Sequence, residues 1–323
     1  MPIKTVDIAI CTWNRARLLR RTLDSFSKLN LPADVQLTAV VIDNRSTDET
    51  QAVIEAFANS NFGKTHKTVA AIEQQQGHTF ARNKAINASQ GDLIIWTDDD
   101  VLVDPDWAVR YIDAANQQQD VSFWGSHIEP FFSDGKPKWI QDNWKSLSGC
   151  FAARQLGDQP IELTVDRLAY GANFAVRGEV QRANPFNTEL GRRADAVLGE
   201  DELELMRRLL ASGHAGRWVP GATVQHLIPS DRATTKYVYD YFVGQGRNLV
   251  LKGESWPADT NQLKTEAKTE YRRFWLKRFY AGNQQWCSHL IRSALAMGQW
   301  QACLLYTSPS PRDATLSRMP SSA

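Results

Sequence analysis

The stretch 91-GDLIIWTDDDVLVDPDW-107 ends a short apolar run in three consecutive aspartates, Asp98, Asp99 and Asp100. The apolar run predicts a buried strand, and open α/β sheets bind their ligands at the carboxyl ends of such strands. Three neighbouring carboxylates repel one another, so at neutral pH the cluster either shifts its pKa values or holds a cation. The stretch therefore predicts a divalent metal that bridges a phosphorylated ligand.

Strand and helix patterns alternate along the first half of the chain. The segments with these periodicities are strands at 6–11, 35–42, 69–72 and 93–96 and helices at 16–29, 81–88 and 107–115. Strands separated by helices favour right-handed crossovers. The predicted fold class is therefore α/β, with a mostly parallel central sheet flanked by helices.

Composition is typical of a soluble enzyme of ordinary size. Hydrophobic residues make up 42% of 323 residues, which is enough for a sizeable core. The net charge of +1 gives no reason to expect nucleic-acid binding. The four cysteines show no CxxC spacing, which disfavours a structural zinc site and a disulfide framework. We find no signal peptide or apolar run long enough to span a bilayer, so the expected location is cytoplasmic.

Polar residues follow all four predicted strands. They are Thr12 to Arg15, Asp43 with Asn44, Gly77 to Asn83, and Asp98 to Asp100. Loops at the carboxyl ends of parallel strands converge on one crevice, where such side chains would suit a nucleotide diphosphate and a metal. Taken singly, each loop contains residue types that are also common in ordinary turns and helix caps.

Four segments together carry a family resemblance. They are CTWNR at 11–15, VIDNRSTDET at 41–50, GHTFARNKAINASQGDLIIWTDDD at 77–100 and GEDELELMRRL at 199–209. In this order they resemble family 2 glycosyltransferases of the inverting, nucleotide-diphospho-sugar-dependent type, over about residues 6–246. The resemblance implies the GT-A fold and Mn²⁺ or Mg²⁺ as cofactor. It also implies transfer of a sugar to a hydroxyl of a saccharide or lipid-linked acceptor, in cell-surface polysaccharide or glycoconjugate synthesis.

The resemblance assigns donor-binding roles residue by residue. The positions expected to contact the nucleotide-sugar are Thr12, Asn14, Arg15, Asp43, Asn44, Gly77, Arg82, Asn83, Asp98, Asp99 and Asn173. Arg82 is expected to pair with phosphate, the alternative being a salt bridge to the acidic cluster. Within the triplet, the side chain of Asp99 is expected to point away from those of its two neighbours, as alternate residues do in an extended segment.

The resemblance also supplies metal ligands and a catalytic pair. Asp100, Asp98 and His226 are the expected metal ligands, although a histidine after an apolar strand is often structural. Asp201 is the expected general base and Glu200 the residue that orients the acceptor or backbone. Both carboxylates precede or begin a strongly periodic helix, where they can also serve as caps and favourable partners of the helix dipole.

The expected domains are a glycosyltransferase domain at 1–246 and a helical extension at 247–302. The first comprises a nucleotide-binding half at 1–115 and an acceptor half at 116–246. Residues 303–323 resemble a translated sequencing adapter, so we expect the natural chain to continue past about Ala302. Within the extension, residues 271–280 interleave basic and aromatic side chains. We favour packing against the domain for this segment, with peripheral binding to the inner face of a membrane as the alternative.

Two other classes of protein remain as alternatives. A sugar nucleotidyltransferase would be expected to carry a Gly-rich basic loop after the first strand, and CTWNR is not such a loop. A non-catalytic nucleotide-sugar or carbohydrate-binding protein would have no need of the acidic triplet, Asp201 and His226 together. A dinucleotide dehydrogenase is disfavoured because no GxGxxG follows the first strand.

Overall fold

The computed structural model describes residues 2–189, 200–251, 253 and 260–307. The chain divides into two compact units, one of residues 1–133 and 151–228 and the other of residues 134–150 and 229–323. The domain division expected at residue 246 falls inside a helix of the second unit and stays a prediction. Most of the adapter-like segment, residues 308–323, lies outside the described residues.

The described part of the first unit contains ten strands. They are β1 Thr5–Thr12, β2 Gln36–Asp43, β3 Lys67–Ile72, β4 Leu93–Thr97, β5 Val101–Val103, β6 Val121–Gly125, β7 Ile128–Phe132, β8 Asn173–Arg177, β9 Ala215–Trp218 and β10 Val224–Ile228. Seven form one sheet in the order β3-β2-β1-β4-β8-β6-β9, and three form a small sheet in the order β5-β10-β7. Strands β3, β2, β1 and β4 pair in parallel, while β8 runs antiparallel to both of its neighbours.

Helices flank the larger sheet in the first unit. They are α1 Ala16–Phe26, α2 Thr50–Ala58, α3 Asn61–Thr65, α4 His78–Ala88, α5 Trp107–Gln117, α8 Gly178–Ala183 and α9 Asp201–Ala211. The predicted alternation of strand and helix, and the mostly parallel sheet with helices around it, are therefore confirmed. The ends of the elements differ from the prediction by a few residues, as expected for boundaries read from periodicity.

The central strands are buried on both faces. In β1, Ile8 and Ile10 contribute to one apolar cluster and Ala9 to the other. In β2, Val41 lies in the first cluster and Val40 in the second. This alternation follows from the two-residue period of a strand, and burial on both faces explains why these segments read as continuous apolar runs.

Asn173, at the start of β8, is a buried hub and not the donor contact that we expected. Its Oδ1 accepts hydrogen bonds from Trp107 Nε1 at 2.8 Å and from Tyr111 Oη at 2.9 Å. Its Nδ2 donates to the carbonyls of His127 and Ala222, both at 2.7 Å. An amide offers two donors and two acceptor positions, so these four bonds saturate it. Asn173 is fully buried, and its role is to join α5, β8 and two loops.

The second unit is helical. Its helices are α6 Lys138–Asp142, α7 Trp144–Leu147, α10 Thr235–Leu251, α11 Thr260–Lys277 and α12 Asn283–Thr307. The predicted C-terminal helical extension is thus confirmed. Within α11, Leu263, Ala267 and Phe274 are buried, and their separations of four and seven residues keep them on one face. In the described part of the chain, no helix combines the length and the apolar character needed to cross a membrane.

Replacing Asn173 by Ala should destabilise the first unit strongly. The change leaves two buried donors and two buried carbonyls without their partner, and each such loss costs about 1–3 kcal/mol. We expect a total loss of at least about 3 kcal/mol, measured by urea denaturation followed by circular dichroism.

A matched control is Asn59→Ala, which removes one exposed local hydrogen bond to the Glu55 carbonyl. This control should lose less than about 1 kcal/mol. Equal effects of the two substitutions would contradict the hub role of Asn173.

Candidate active site

The aspartate triplet lies in a turn between β4 and β5. Arg15 Nη1 donates to Asp99 Oδ1 and to Asp100 Oδ2, both at 2.8 Å. Thr12 Oγ1 donates to Asp99 Oδ2 at 2.7 Å. The expectation that Asp99 points away from Asp100 was wrong, because the alternation of an extended strand ends at Thr97. The loop after β1 therefore holds two of the three aspartates.

Electrostatics in the triplet follow from burial and crowding. Burial raises the pKa of Asp99 to about 6; Arg15 opposes this shift and the neighbouring Asp100 adds to it. Burial lowers the pKa of Arg15, but attraction to Asp99 and Asp100 outweighs it, so the net pKa is raised. Asp99 and Asp100 are both almost fully buried. A permanent cation thus already compensates part of the acidic charge.

His226, in β10, lies beside Asp100. Its Nε2 is 3.3 Å from Asp100 Oδ1, and its Nδ1 is 3.2 Å from the Phe151 carbonyl oxygen. A carbonyl only accepts, so this bond requires a proton on Nδ1 and directs Nε2 at the carboxylate. Nε2 can then either donate as an imidazolium or offer its lone pair to a metal shared with Asp100. Two of the three predicted metal ligands are thus brought together.

The third predicted metal ligand, Asp98, is not part of this pair. Within residues 2–189, 200–251, 253 and 260–307, no three His, Cys, Asp or Glu side chains form a group that could hold a metal ion. A carboxylate and an imidazole nevertheless suit Mn²⁺ or Mg²⁺. Mg²⁺ in particular is usually held by one or two carboxylates together with water and substrate phosphates. The Asp100–His226 pair fits a metal whose remaining ligands come from a bound diphosphate.

The loop after β2 is built largely by its own side chains. Asp43 Oδ1 accepts from Ser46 N at 2.9 Å, and Asp43 is almost completely buried. Asn44 Nδ2 donates to the Gln75 carbonyl at 2.7 Å, and Asn44 Oδ1 accepts from Gly77 N at 2.9 Å. Asp43 and Asn44, which were expected to contact the nucleotide-sugar, therefore hold the turns at the ends of β2 and β3.

Asn14 and Gly77 shape the neighbouring backbone. Asn14 has a φ of +51° and accepts from Thr47 N at 2.7 Å, so it ties the first loop to the second. Gly77 precedes α4 with a φ of +142°, a conformation that favours glycine. Asn14 and Gly77 were both expected to contact the nucleotide-sugar, and both position the loops that line the strand ends.

A second charged cluster lies where α4 meets the start of α9. Arg82 Nη1 is 2.8 Å from Asp201 Oδ2 and 3.5 Å from Glu202 Oε2. His78 Nδ1 is 3.5 Å from Asp201 Oδ2. His78 and Arg82 are four residues apart, so they lie on the same face of α4. Asp201, the predicted general base, is thus held by His78 and Arg82, which both belong to the predicted nucleotide-binding half of the sequence.

Arg82 is engaged by the protein and not exposed for a phosphate. It is 3% exposed, and its guanidinium carbon lies 5.0 Å from the centre of the Phe186 ring and 5.8 Å from that of Trp96. The alternative that we weighed, a salt bridge, is the one observed, although its partner is Asp201 and not the triplet. Asn83, next to it, exchanges two hydrogen bonds with the Phe186 backbone, at 2.8 and 2.9 Å.

The acids of this cluster differ in their pKa. Burial raises the pKa of Asp201, but Arg82 and His78 outweigh it and hold the pKa well below its usual range. Burial, followed by repulsion from Asp201, raises the pKa of Glu202 to about 7 despite the attraction of Arg82. Glu200, the other predicted catalytic residue, caps α9 and lies 3.6 Å from Arg207 Nη1. Asp201 is therefore the permanently ionised acid of the cluster.

Sequence reasoning did not single out His78 or Glu202, and it did not connect Gly171 with them. Gly171 N donates to Glu202 Oε1 at 3.2 Å, and a Cβ at Gly171 would lie 2.6 Å from Arg82 Nη2. The four-residue spacing of His78 and Arg82 was a visible signal that both face one partner. The identity of that partner, which follows 119 positions after Arg82, could not be read from spacing.

Both charged clusters influence the thiol of Cys11, in β1. Burial raises the pKa of the Cys11 thiol, and the charges of Asp98, Asp99 and Asp201 raise it further while that of Arg82 lowers it. Cys11 lies near the carboxyl end of β1, which pairs with β2 on one side and with β4 on the other. The acidic triplet and the Arg82–Asp201 pair thus both lie near this strand end.

Two curated proteins are similar to this chain in sequence. The succinoglycan biosynthesis protein ExoM of Rhizobium meliloti is 23% identical over 244 residues, which cover 74% of this chain and 72% of that protein. The glucosyl-dolichyl phosphate glucuronosyltransferase of Haloferax volcanii is 24% identical over 209 residues. That match covers 63% of each protein, so the chain spans less than two thirds of this second relative.

A solved structure shares the fold. The mannosyltransferase of Pyrobaculum calidifontis in complex with GDP-Man and Mn²⁺ superposes with a TM-score of 0.54 at 16% identity. The match covers 98% of this chain and 79% of that protein. At this identity the likeness shows the fold alone, and it confirms the predicted GT-A fold. The sequence model of Glycosyl transferase family 2 matches residues 7–174, more than half of the chain. The chain therefore belongs to glycosyl transferase family 2.

Proposed function

We propose that this glycosyltransferase catalyses a metal-dependent, inverting transfer of a sugar from a nucleotide-diphospho-sugar to a hydroxyl acceptor. The acceptor that we propose is a glycan or a lipid-linked saccharide, in polysaccharide or glycoconjugate synthesis. The observation that carries the proposal is the pair of acidic clusters near the end of β1, with Asp100 and His226 in one and Asp201 in the other. One cluster suits a charged leaving group, and the other suits proton transfer.

The Asp100–His226 pair is the proposed metal position. Asp100 and His226 would hold Mn²⁺ or Mg²⁺ together with oxygens of the donor diphosphate. The metal, when bound, supplies positive charge that stabilises the diphosphate as it leaves. Asp98, which is half-buried, is available from the same turn to contact the metal or the ribose.

Arg15 has a role that does not depend on the metal. Its Nη1 holds Asp99 and Asp100 in one arrangement at 2.8 Å from each. Since the Arg15 side chain is 32% exposed, its remaining N–H groups can donate to a phosphate of the bound donor. Arg15 would thus fix the carboxylates and contribute charge to the leaving group.

Asp201 is the proposed general base. Arg82 and His78 keep its carboxylate ionised, so an acceptor proton can move to it. A low pKa makes a weak base, and transfer becomes favourable only as the acceptor oxygen bonds to the anomeric carbon and its own proton becomes acidic. The attack then occurs from the face opposite the diphosphate, which inverts the anomeric configuration. The reaction requires no nucleophile from the protein.

Glu202 is the proposed neutral partner of Asp201. With a pKa of about 7, it is largely protonated below neutral pH, and this lowers the negative charge beside Arg82. Arg82 is then free to pair fully with Asp201, at 2.8 Å against 3.5 Å for Glu202. Glu202 positions the guanidinium without competing for it.

Replacing Asp201 by Asn should reduce sugar transfer at least about a hundredfold, because the proton acceptor is lost. Binding of the nucleotide-sugar, measured by thermal shift, should persist. Turnover is measured as nucleotide diphosphate released from a panel of nucleotide-sugars with Mn²⁺. Glu204→Gln is the matched control, since Glu204 lies on the same helix and pairs with Arg208 at the surface. Wild-type turnover in Asp201→Asn would refute the assignment.

Replacing Asp100 by Asn should abolish the gain in nucleotide-diphosphate affinity that Mn²⁺ provides, since one metal ligand loses its charge. Isothermal titration with and without Mn²⁺ measures this gain directly. The control is Asp113→Asn, an exposed aspartate in α5. An unchanged Mn²⁺ effect in the Asp100 variant would rule out the proposed metal position.

Replacing Glu202 by Gln should change the pH dependence of stability. The folded-state pKa of about 7 exceeds the ordinary value of 4.5, so Glu202 contributes stability that is full below pH 4.5 and is lost as the pH rises through about 7. Gln mimics the protonated acid. The variant should therefore gain stability relative to the wild type across this window and keep the gain at pH 8.

Urea midpoints from pH 5 to pH 8 measure the effect, with Glu204→Gln as the control. A difference between Glu202→Gln and wild type that does not vary with pH would show that Glu202 ionises with its ordinary pKa.

A further inference from the structure

The end of α11 and the turn after it expose a cluster of large apolar side chains. We call it the aromatic–basic patch, and it consists of Arg272, Trp275, Leu276, Arg278, Phe279 and Tyr280. Leu276 is 62% exposed, Phe279 82% and Tyr280 75%. Contiguous exposed apolar surface on a folded protein marks a site of interaction.

Helix α11 presents two different faces. Leu263, Ala267 and Phe274 lie on its inner face and are buried. Arg272 and Leu276 project away from Phe274, since residues two positions apart on a helix lie on roughly opposite sides, and Phe279 follows in the turn after the helix. The favoured expectation, that this segment packs against the protein, thus describes Phe274 and not the patch. Folding of the helix buries its inner face and does not require the apolar side chains on its outer face.

The patch is basic as well as apolar. Residues 271–280 contain Arg272, Arg273, Lys277 and Arg278 and not one Asp or Glu. Arg273 is neutralised by Glu270, at 2.6 Å. The guanidinium carbon of Arg278 lies 5.7 Å from the centre of the Trp275 ring, so its charge accompanies the aromatic surface. A partner of this patch must offer both an apolar environment for the rings and negative charge for the arginines.

We propose that the aromatic–basic patch binds the surface of a membrane that contains anionic phospholipids. Trp, Tyr and Phe partition into the interfacial region of a bilayer, and Arg and Lys pair with lipid phosphates. Two side chains that are more than 70% exposed protrude from the protein and do not line a groove of its own. A bilayer interface accommodates protruding rings without a preformed pocket, whereas a protein partner would have to supply one.

The proposal is independent of the proposed enzymatic function, because no patch residue belongs to either acidic cluster of the first unit. Its consequence is that the protein would work at the membrane surface. Lipid binding can be measured without any knowledge of donor or acceptor. Failure of one proposal would therefore leave the other standing.

The test is co-sedimentation of the full chain with sucrose-loaded vesicles. One set contains phosphatidylcholine alone, and the other contains phosphatidylcholine and phosphatidylglycerol in equal parts. The wild type should sediment with the anionic vesicles only, and added NaCl should release it. The double variant Phe279→Ser/Tyr280→Ser and the double variant Arg272→Glu/Arg278→Glu should each lower the partition coefficient by about tenfold or more.

Matched controls come from exposed positions of the first unit. Val165→Ser removes an exposed apolar side chain, and Arg20→Glu/Arg21→Glu reverses two exposed charges of α1. Both controls should bind vesicles as the wild type does. Circular dichroism and release of nucleotide diphosphate in solution should be unchanged in the patch variants, since these side chains are exposed and lie outside the proposed catalytic residues.

Three results would overturn the proposal. The first is absence of binding to anionic vesicles. The second is binding that the patch variants and the controls reduce equally. The third is self-association of the wild type, seen by light scattering and abolished by Phe279→Ser/Tyr280→Ser, which would make a second copy of the chain the occupant of the patch.

Discussion

The buried ion pair between Arg82 and Asp201 joins the two halves of the first unit. Arg82 belongs to α4, which follows β3, and Asp201 begins α9, more than a hundred residues later. A buried guanidinium without an opposite charge is strongly unfavourable, and loss of one partner of such a pair costs about 3–5 kcal/mol. The position of α9 is therefore fixed by the need of Arg82 for a carboxylate.

Several residues around this ion pair provide the space and the apolar environment that it requires. The rings of Trp96, Phe174 and Phe186 surround the guanidinium at 5.0 to 5.9 Å and exclude water from it. Gly171 leaves space that a Cβ would take from Arg82 and Glu202. The proposed base thus reaches its position through packing of apolar residues around one charge. Such a base is held in one orientation, which is how preorganised sites lower a barrier.

Local sequence was sufficient for the sheet and for the loops at its strand ends. Apolar runs of strand length and polar residues at their ends predicted β1 to β4 and the crevice, because strand period and parallel topology are local properties. Local sequence was insufficient for the partners of individual side chains. Asn173 and Arg82 have long-range partners that no periodicity encodes, and Asp99 turns toward Arg15 because the strand ends one residue before the triplet. Motif resemblance thus located the loops better than it assigned their side chains.

The balance of charge in the triplet argues for a second cation in the working enzyme. Asp98, Asp99 and Asp100 are three carboxylates, and Arg15 is bound to the latter two through one nitrogen. The raised pKa of Asp99, near 6, shows that burial and crowding are not fully offset by that arginine. An incoming diphosphate would add further negative charge beside the same turn. A divalent cation shared by Asp100, His226 and the diphosphate would reverse the sign of that encounter from repulsion to attraction, since a bound cation dominates the local field. On the proposed function, the excess of acid in the triplet serves binding of the donor through that cation.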